Sequence, residues 1–229
     1  MAALAKQHKI QVLTNYETTW YASNHTAYEI TNDQQAIGAV RKMIVHSGHE
    51  GPKKIGCSTE FLHWLTDPVK NGGGALTDFG CYGANLMTWM MKGQTPLSVM
   101  AITKTIQPAL YPNVDDETTI LVEYPDATGI IEASWNWPYG IKDMQVYGTS
   151  GFLHAVNANS LLKSGAKGNE PVNLRPLVYR DNLVYLAKVL REEIKPSHDL
   201  SSLENNLVVV KILDAARRSA KEGKRIKLK

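Results

Sequence analysis

NGGGALTDFGCYGAN, residues 71–85, joins three successive glycines to a run with helical spacing. Glycine carries no Cβ, so residues 72–74 permit a tight, unusual backbone path, and the pattern beyond them predicts a helix from about 79 to 92. Asp78, Tyr82 and Asn85 recur at i, i+4 and i+7, a spacing that places all three on one helix face. A carboxylate, a phenol and an amide on one face offer a hydroxylated ligand hydrogen bonds of complementary kind. The same spacing also admits a plain structural reading, with Asp78 as an N-cap and Tyr82 as a core residue whose hydroxyl is satisfied.

Beyond this helix the period changes from helix to strand. SVMAITKTI, TTILVEY, TGIIEASW, KDMQVYG and GFLHAV follow one another between turn residues such as Pro125-Asp126 and Gly148 to Gly151. Five strands with short connections predict a mainly antiparallel sheet. Two helices close the chain, NLVYLAKVLREEI and a longer one from about 201 to 222, with Ser201 and Glu204 as a capping box and Gly223 as the stop.

Upstream of the glycines, residues 49–70 read as a long polar and aromatic connection, AVRKMIVHSG as a strand, and residues 25–35 as a helix. Residues 2–8 resemble the end of a helix and IQVLTNY, residues 10–16, a short strand. A helix followed at once by a strand looks like the last piece of a larger α/β unit. The expected fold is therefore α+β: a mainly antiparallel open sheet with helices on one face, preceded by a helix-strand remnant of a Rossmann domain. The expected division is 1–16 for that remnant and 17–229 for a substrate-binding and oligomerisation domain, whose last helix, about 201–222, packs back towards the N-terminal domain.

Composition is that of a folded globular chain, with 43% hydrophobic and 21% charged residues. The formal charge of +3 has much of its excess between Arg217 and Lys229, as expected of a solvated helix end, and gives no reason to expect a nucleic-acid partner. Cys57 and Cys81 are too far apart for a C-x-x-C motif and read as reduced thiols of a cytoplasmic protein. The first residues lack the apolar core of a signal peptide, and no apolar run approaches the roughly 20 residues of a membrane span.

The run of residues 71–85 resembles the G-G-G-x-L-x-D-x-G signature of the Gfo/Idh/MocA oxidoreductases. NYETTWY, IGAVRKMIVHSGHEGP, VDDETTILVEYPDATGIIEASW and MQVYGTSGFL follow the family order over essentially the whole chain. Many members carry His four residues after the motif's Asp; Tyr82 and Asn85 match instead the branch of glucose-fructose oxidoreductase and the dihydrodiol dehydrogenase-like members. The resemblance implies hydride transfer between a sugar or polyol carbon and the nicotinamide of NAD or NADP. It makes Asp78 the residue that orients the reacting hydroxyls and Tyr82 an acid/base candidate or its hydrogen-bonding partner. It makes Asn85, Trp20 and His25 substrate contacts and Tyr16 a cofactor contact. It also implies a homodimer or homotetramer formed through the sheet face.

A phenol ionises near about 10, so Tyr82 would need a nearby cation to act as a base near neutrality. The family supplies one as a Lys in an E-K-P segment, which this sequence lacks, as it lacks a G-x-G-x-x-G fingerprint. The expectation is thus the substrate-side part of an enzyme, inactive by itself; the competing expectation is a non-catalytic sugar-binding or assembly module.

Other candidates are weaker. His46, His49 and Glu50 have neither the order nor the helical setting of a zinc motif. Trp135 and Trp137 flank Asn136, and strand alternation predicts both rings on one face. His63 and Trp64, in the connection before the glycines, are further possible contacts only by position.

Overall fold

The five strands expected beyond the glycine-turn helix all form, and they join into one open sheet. The computed structural model describes residues 1–165, 168–179 and 181–228. In chain order it contains α1 (Ala2–His8), α2 (Ala22–Tyr28), β1 (Val40–Gly48), α3 (Thr59–Leu65), α4 (Ala75–Asp78), α5 (Gly80–Met90), β2 (Ser98–Lys104), β3 (Glu117–Glu123), β4 (Thr128–Ser134), β5 (Ile141–Gly148), β6 (Phe152–Asn157), β7 (Ser160–Gly165), β8 (Gly168–Pro171), α6 (Asn182–Leu190), α7 (Leu203–Glu222) and β9 (Ile226–Lys227). A 3-10 turn, Glu17–Trp20, precedes α2, and a π-helical turn, Glu29–Asp33, follows it.

Among the described residues the sheet has nine strands in the order β8-β7-β6-β5-β1-β4-β3-β2-β9. Its pairings are antiparallel except that of β1 with β4, where Ile44 lies beside Ile130 and His46 beside Glu132. β1 reaches this central position from far earlier in the chain, and only a long connection can return a strand in parallel.

One face of the sheet is covered. Met43 and Val45 of β1, Ile120 and Val122 of β3, Ile131 of β4, and Met144 and Val146 of β5 point into a core completed by Ala84, Met87 and Met90 of α5 and by Val209, Ile212 and Ala216 of α7. Close approach of α5 depends on Gly83, since a Cβ there would lie 2.6 Å from Cγ2 of Ile131. The last helix packs within this unit, against β2 and α5. Its N-cap is Ser202, whose hydroxyl accepts from the Asn205 N–H, so the cap lies one residue beyond the Ser201 expected. Gly223 ends it in the left-handed conformation, with φ 65°.

Three other expectations are corrected. Residues 10–16 form no strand; the Thr14 N–H donates to the Ser201 carbonyl instead of to a sheet neighbour. The connection over 49–70 contains α3, capped by Ser58, whose hydroxyl accepts from Phe61 N–H. Trp135 and Trp137 part company because the chain leaves the ladder after Ser134: Trp135 is fully buried against Tyr111, while Trp137 meets the edge of His46.

Among the described residues the opposite face carries no helix and presents a cross-strand row of Met100, Leu121, Ile130 and Ile44, of which Met100 and Leu121 are 42% and 46% exposed. Further along, Asp143 bridges two imidazoles, with Oδ1 2.6 Å from His46 Nδ1 and Oδ2 2.8 Å from His154 Nε2. The hydrogen bond to Asp143 raises the His46 pKa above the ordinary 6.5 against the opposing effect of burial. Burial disfavours the Asp143 charge, but the two histidines win and hold its carboxyl below the usual range. The stabilisation from His46 is thus complete below its unfolded pKa and is lost as pH rises through the raised folded value. His46→Gln is expected to cost about 1 kcal/mol at about pH 5.5 and much less at about pH 9, as read from urea unfolding. An equal cost at both pH values would refute the charged pairing.

Candidate functional site

The glycine turn is held from across the sheet by a carboxylate. Asp115, just before β3, accepts from the Gly74 N–H on Oδ1 at 3.0 Å and from the Leu76 N–H on Oδ2 at 2.7 Å, and Thr118 donates its hydroxyl to Oδ2 as well. The Asp115 carbonyl also accepts from the Ala75 N–H. The Gly74 and Leu76 N–H groups, which such a turn could otherwise offer to a phosphate, are therefore occupied by the chain's own carboxylate. What the turn does is aim α4 so that its last residue, Asp78, reaches the Trp135 indole, whose Nε1–H donates to Oδ2 at 2.9 Å.

Asp78 ends α4 and Tyr82 lies in the first turn of α5, across the short break at Phe79, near enough for the charge of Asp78 to act on the Tyr82 phenol. Burial raises the Asp78 pKa above the usual carboxylate range, opposed by the Trp135 hydrogen bond and by the charge of Lys142. Burial also raises the Tyr82 pKa, reinforced by the negative potential of Cys81, Asp78 and Glu17. Both effects disfavour the phenolate form of Tyr82. Cys81, whose thiol lies 3.1 Å from the Asp78 carbonyl, is likewise pushed up by burial.

Asn85 is elsewhere. Periodicity gave it the same face, but one turn deeper that face is covered by residues 200–206, and Asn85 is fully buried. Its Nδ2 donates to the Leu200 carbonyl at 2.8 Å and approaches Asn206 Oδ1 at 3.4 Å, while its own carbonyl accepts from Asn205 Nδ2. Asn206 Oδ1 in turn accepts the Tyr16 hydroxyl at 3.0 Å, and the Tyr16 ring stands edge-on to Tyr82 with centroids 5.6 Å apart. Asn85 thus braces the wall behind Tyr82. Asn85→Ala is expected to cost about 2 kcal/mol of stability by stranding buried polar partners, measured by urea unfolding; unchanged stability would return Asn85 to the list of ligand contacts.

Trp20 donates its indole N–H to Asn15 Oδ1 at 2.8 Å and leans on Tyr185, beside a cavity of about 290 Å³ that Leu13, Tyr185 and Leu186 also line. His25 lies 2.8 Å by Nε2 from the Thr19 carbonyl and packs on Trp89, so neither its hydrogen bond nor its ring contact involves Asp78 or Tyr82. His63 and Trp64 are exposed on α3.

Lys142 and Glu17, which the sequence did not single out, and His49, which it raised only as a metal-ligand candidate, complete the site. Lys142 of β5 lies over the Tyr82 ring, 5.2 Å from its centroid, and 5.9 Å from that of Phe79, and is ion-paired with Glu17. Glu17 also accepts the Tyr21 hydroxyl at 2.6 Å; burial disfavours its charge, but the bonds from Lys142 and Tyr21 keep its carboxyl below the usual range. His49 packs edge-on to Phe79 at 4.8 Å, its Nδ1 accepting from the Gly51 N–H, which leaves the neutral ring's proton on Nε2. Burial and then the charge of Lys142 lower its pKa. A signal for Lys142 existed: it shares strand parity with the buried Met144 and Val146, so alternation alone sends a lysine to the covered face. For His49 and Glu17, both outside regular strands, there was none.

The family model for the GFO/IDH/MocA C-terminal domain matches residues 13–154. No curated protein sequence matches the chain. Among solved structures, the aldose-aldose oxidoreductase from Caulobacter crescentus complexed with glycerol aligns with a TM-score of 0.80 at 21% identity, covering 99% of this chain and 67% of that one. The inositol dehydrogenase homolog from Azotobacter vinelandii complexed with NAD+ aligns with a TM-score of 0.79 at 15% identity, again over 99% and 67%. An oxidoreductase from Agrobacterium radiobacter in complex with NAD+, L-tartaric acid and magnesium aligns with a TM-score of 0.75 at 16% identity, over 99% and 67%. At such identities these likenesses establish the fold, and the chain spans about two thirds of the length of those proteins.

Proposed function

The chain belongs to the GFO/IDH/MocA C-terminal domain family, and from that premise we propose that it is the substrate-side part of a nicotinamide-dependent oxidoreductase acting on a hydroxyl-bearing carbon of a sugar or polyol. The observation that carries this reading is that the braced glycine turn leads into Asp78, held by the Trp135 indole, with Tyr82 within reach of its charge. Similar structures that hold NAD+, glycerol or L-tartaric acid support the ligand class.

NAD or NADP, when bound, accepts or gives the hydride. The residues here fit the substrate end of that reaction. Asp78 has one carboxylate oxygen fixed by Trp135, leaving Oδ1 to accept from the reacting hydroxyl; its raised pKa makes it a stronger acceptor for that proton. Tyr82 keeps its own proton and donates to a neighbouring substrate oxygen, which fixes orientation, the larger share of what a rigid site contributes. Phe79 and the Tyr16 and Tyr82 rings keep water from one side of the site. The pyrophosphate is a different matter: with the Gly74 and Leu76 N–H groups held by Asp115, the glycine turn has no cradle to offer it. In this reading the dinucleotide is held by a dinucleotide-binding domain of which residues 1–16 are a remnant, with Tyr16 as a cofactor contact.

The uncovered face, with Met100, Leu121, Ile130 and Ile44 in one row, is the surface for a homodimer or homotetramer, testable by light scattering at micromolar concentration. No helix among the described residues is long and apolar enough to cross a membrane. We place the protein in the cytoplasm, consistent with two unpaired cysteines.

The deciding experiment titrates the 229-residue chain with NADH and NADPH, following nicotinamide fluorescence, beside a polypeptide carrying a dinucleotide-binding domain ahead of Met1. Binding and polyol-dependent turnover only in the longer protein support the reading. Tight dinucleotide binding by the chain alone would overturn the assignment of that task to another unit. Polyol binding without turnover in the longer protein would favour a sugar-binding module.

A further inference from the structure

We propose that Lys142 is a further substrate-contacting residue of this site, held in place by Glu17 so that its ammonium meets a ligand oxygen beside Asp78 and Tyr82. The inference rests on the reading of the site as a sugar or polyol site, and it adds the residue that brings positive charge to it.

Lys142 is an unusual residue for its place in the sheet. It pairs with Ser47 in the β1–β5 ladder, and its parity with Met144 and Val146 directs it to the helix-covered side. An apolar side chain would fill that position at lower desolvation cost. Its side chain is 21% exposed, whereas that of its partner Glu17 is 55% exposed. An ion pair with so open a carboxylate contributes little stability, so fastening β5 to the 3-10 turn is a poor explanation for a lysine here.

The ammonium has three N–H donors. Glu17 takes one, and the faces of Tyr82 and Phe79, at 5.2 and 5.9 Å, attract the charge without accepting a conventional hydrogen bond. Donor capacity is left for a ligand. Glu17 is itself tethered by the Tyr21 hydroxyl, so the lysine head is located from two sides. The anionic or titratable groups around Asp78 are Cys81 and Tyr82 on its own segment, Tyr16, Glu17 and Tyr21 from the entry turn, and His49 after β1. Against these, Lys142 is the cation that favours an ionised Asp78 and disfavours a protonated His49. Its role is thus twofold: to keep Asp78 able to accept a proton, and to donate to the substrate.

The test uses the 229-residue chain with carboxyl-13C aspartate and 15N tryptophan, comparing wild type with Lys142→Met, Lys142→Arg and Glu17→Gln. Asp78→Asn identifies the Asp78 signal. The Trp135 indole N–H, which donates to Asp78, reports ligand binding when myo-inositol or D-glucose is titrated to millimolar concentration. Lys142→Met is expected to move the Asp78 midpoint to higher pH and to weaken binding of whichever probe wild type binds by about tenfold, the loss of one charged hydrogen bond. Lys142→Arg should keep the Asp78 midpoint near that of wild type, because the charge remains. Glu17→Gln should leave the midpoint no higher than in wild type while weakening probe binding through a loosened lysine. Dispersed amide spectra establish that each variant folds, and Glu17→Gln, with its expected loss of probe binding, carries the comparison if the methionine variant does not. If wild type and Lys142→Met bind the probe equally, Lys142 does not contact substrate and the sugar reading survives. If wild type binds neither probe, both the reading and this proposal fall, even where the Asp78 midpoint moves.

Discussion

Gly74→Ala is expected to destabilise the chain by about 3 kcal/mol or more, enough to leave much of it unfolded at room temperature if its stability is ordinary. A Cβ at this position would stand 1.8 Å from the Asp115 carbonyl oxygen, 2.9 Å from its carbon and 3.1 Å from Val114 Cβ. None of these is the end of a flexible side chain. The backbone cannot retreat without breaking the Asp115 bonds to Gly74, Ala75 and Leu76, which hold the start of α4. Its neighbours provide the control. At Gly73 the nearest atom is the Thr77 hydroxyl at 2.9 Å, which can rotate; at Gly72 nothing lies within 4 Å and only the positive φ of 85° opposes a side chain. Gly72→Ala should therefore cost about 1 kcal/mol. Urea unfolding of the three variants should give Gly74→Ala as much the worst. Equal effects at positions 72 and 74 would mean that the turn is not held as closely as the Asp115 contacts indicate.

Asp78→Asn is expected to leave the fold intact and to abolish nearly all turnover in a polypeptide that also carries a dinucleotide-binding domain, a fall of about 10²–10⁴-fold. The amide oxygen of Asn can still accept the Trp135 indole N–H, so the packing of Trp135, which is fully buried, is preserved. What disappears is the ability to take a proton. Stability should move the opposite way. The folded-state pKa of Asp78 is raised by burial, so the folded chain binds the proton more readily than the unfolded chain, and ionisation at neutral pH destabilises it. Asp78→Asn should therefore be more stable than wild type near neutrality, and the advantage should vanish once pH falls below the ordinary carboxylate value of 3.8. A variant with unchanged turnover would remove Asp78 from the reaction. One less stable at pH 7 would mean that its charge is better solvated than its burial implies.

How much of this could be read from the sequence differs from residue to residue. Strands β2 to β6 were legible because one face of each is buried and period two records which. Strands β7 and β8, over 160–171, were not: β8 is exposed throughout and β7 has only Leu161 buried, so no alternation marks them. Residues 10–16 have strand-like composition without a strand's neighbour, and a ladder requires a partner as well as propensity. Asp78 and Tyr82 stand four residues apart, a spacing visible in the sequence, although a break at Phe79 separates their helices. Asn85 was on the right face at the wrong depth, since periodicity does not say what covers a helix along its length.

The sequence by itself determined the α+β class and the open sheet, which are encoded in local spacing, where covalent geometry fixes the period and burial selects the residues, and the run over 71–85 carried the resemblance to the family. Only the tertiary structure decided that Lys142 and Glu17, which are 125 residues apart, meet beside Tyr82, that Asp115 closes the glycine turn 41 residues away, and that Asn85 serves as a brace. These depend on which strands become neighbours and what each face is packed against, and a contact across such distances leaves no period in the chain.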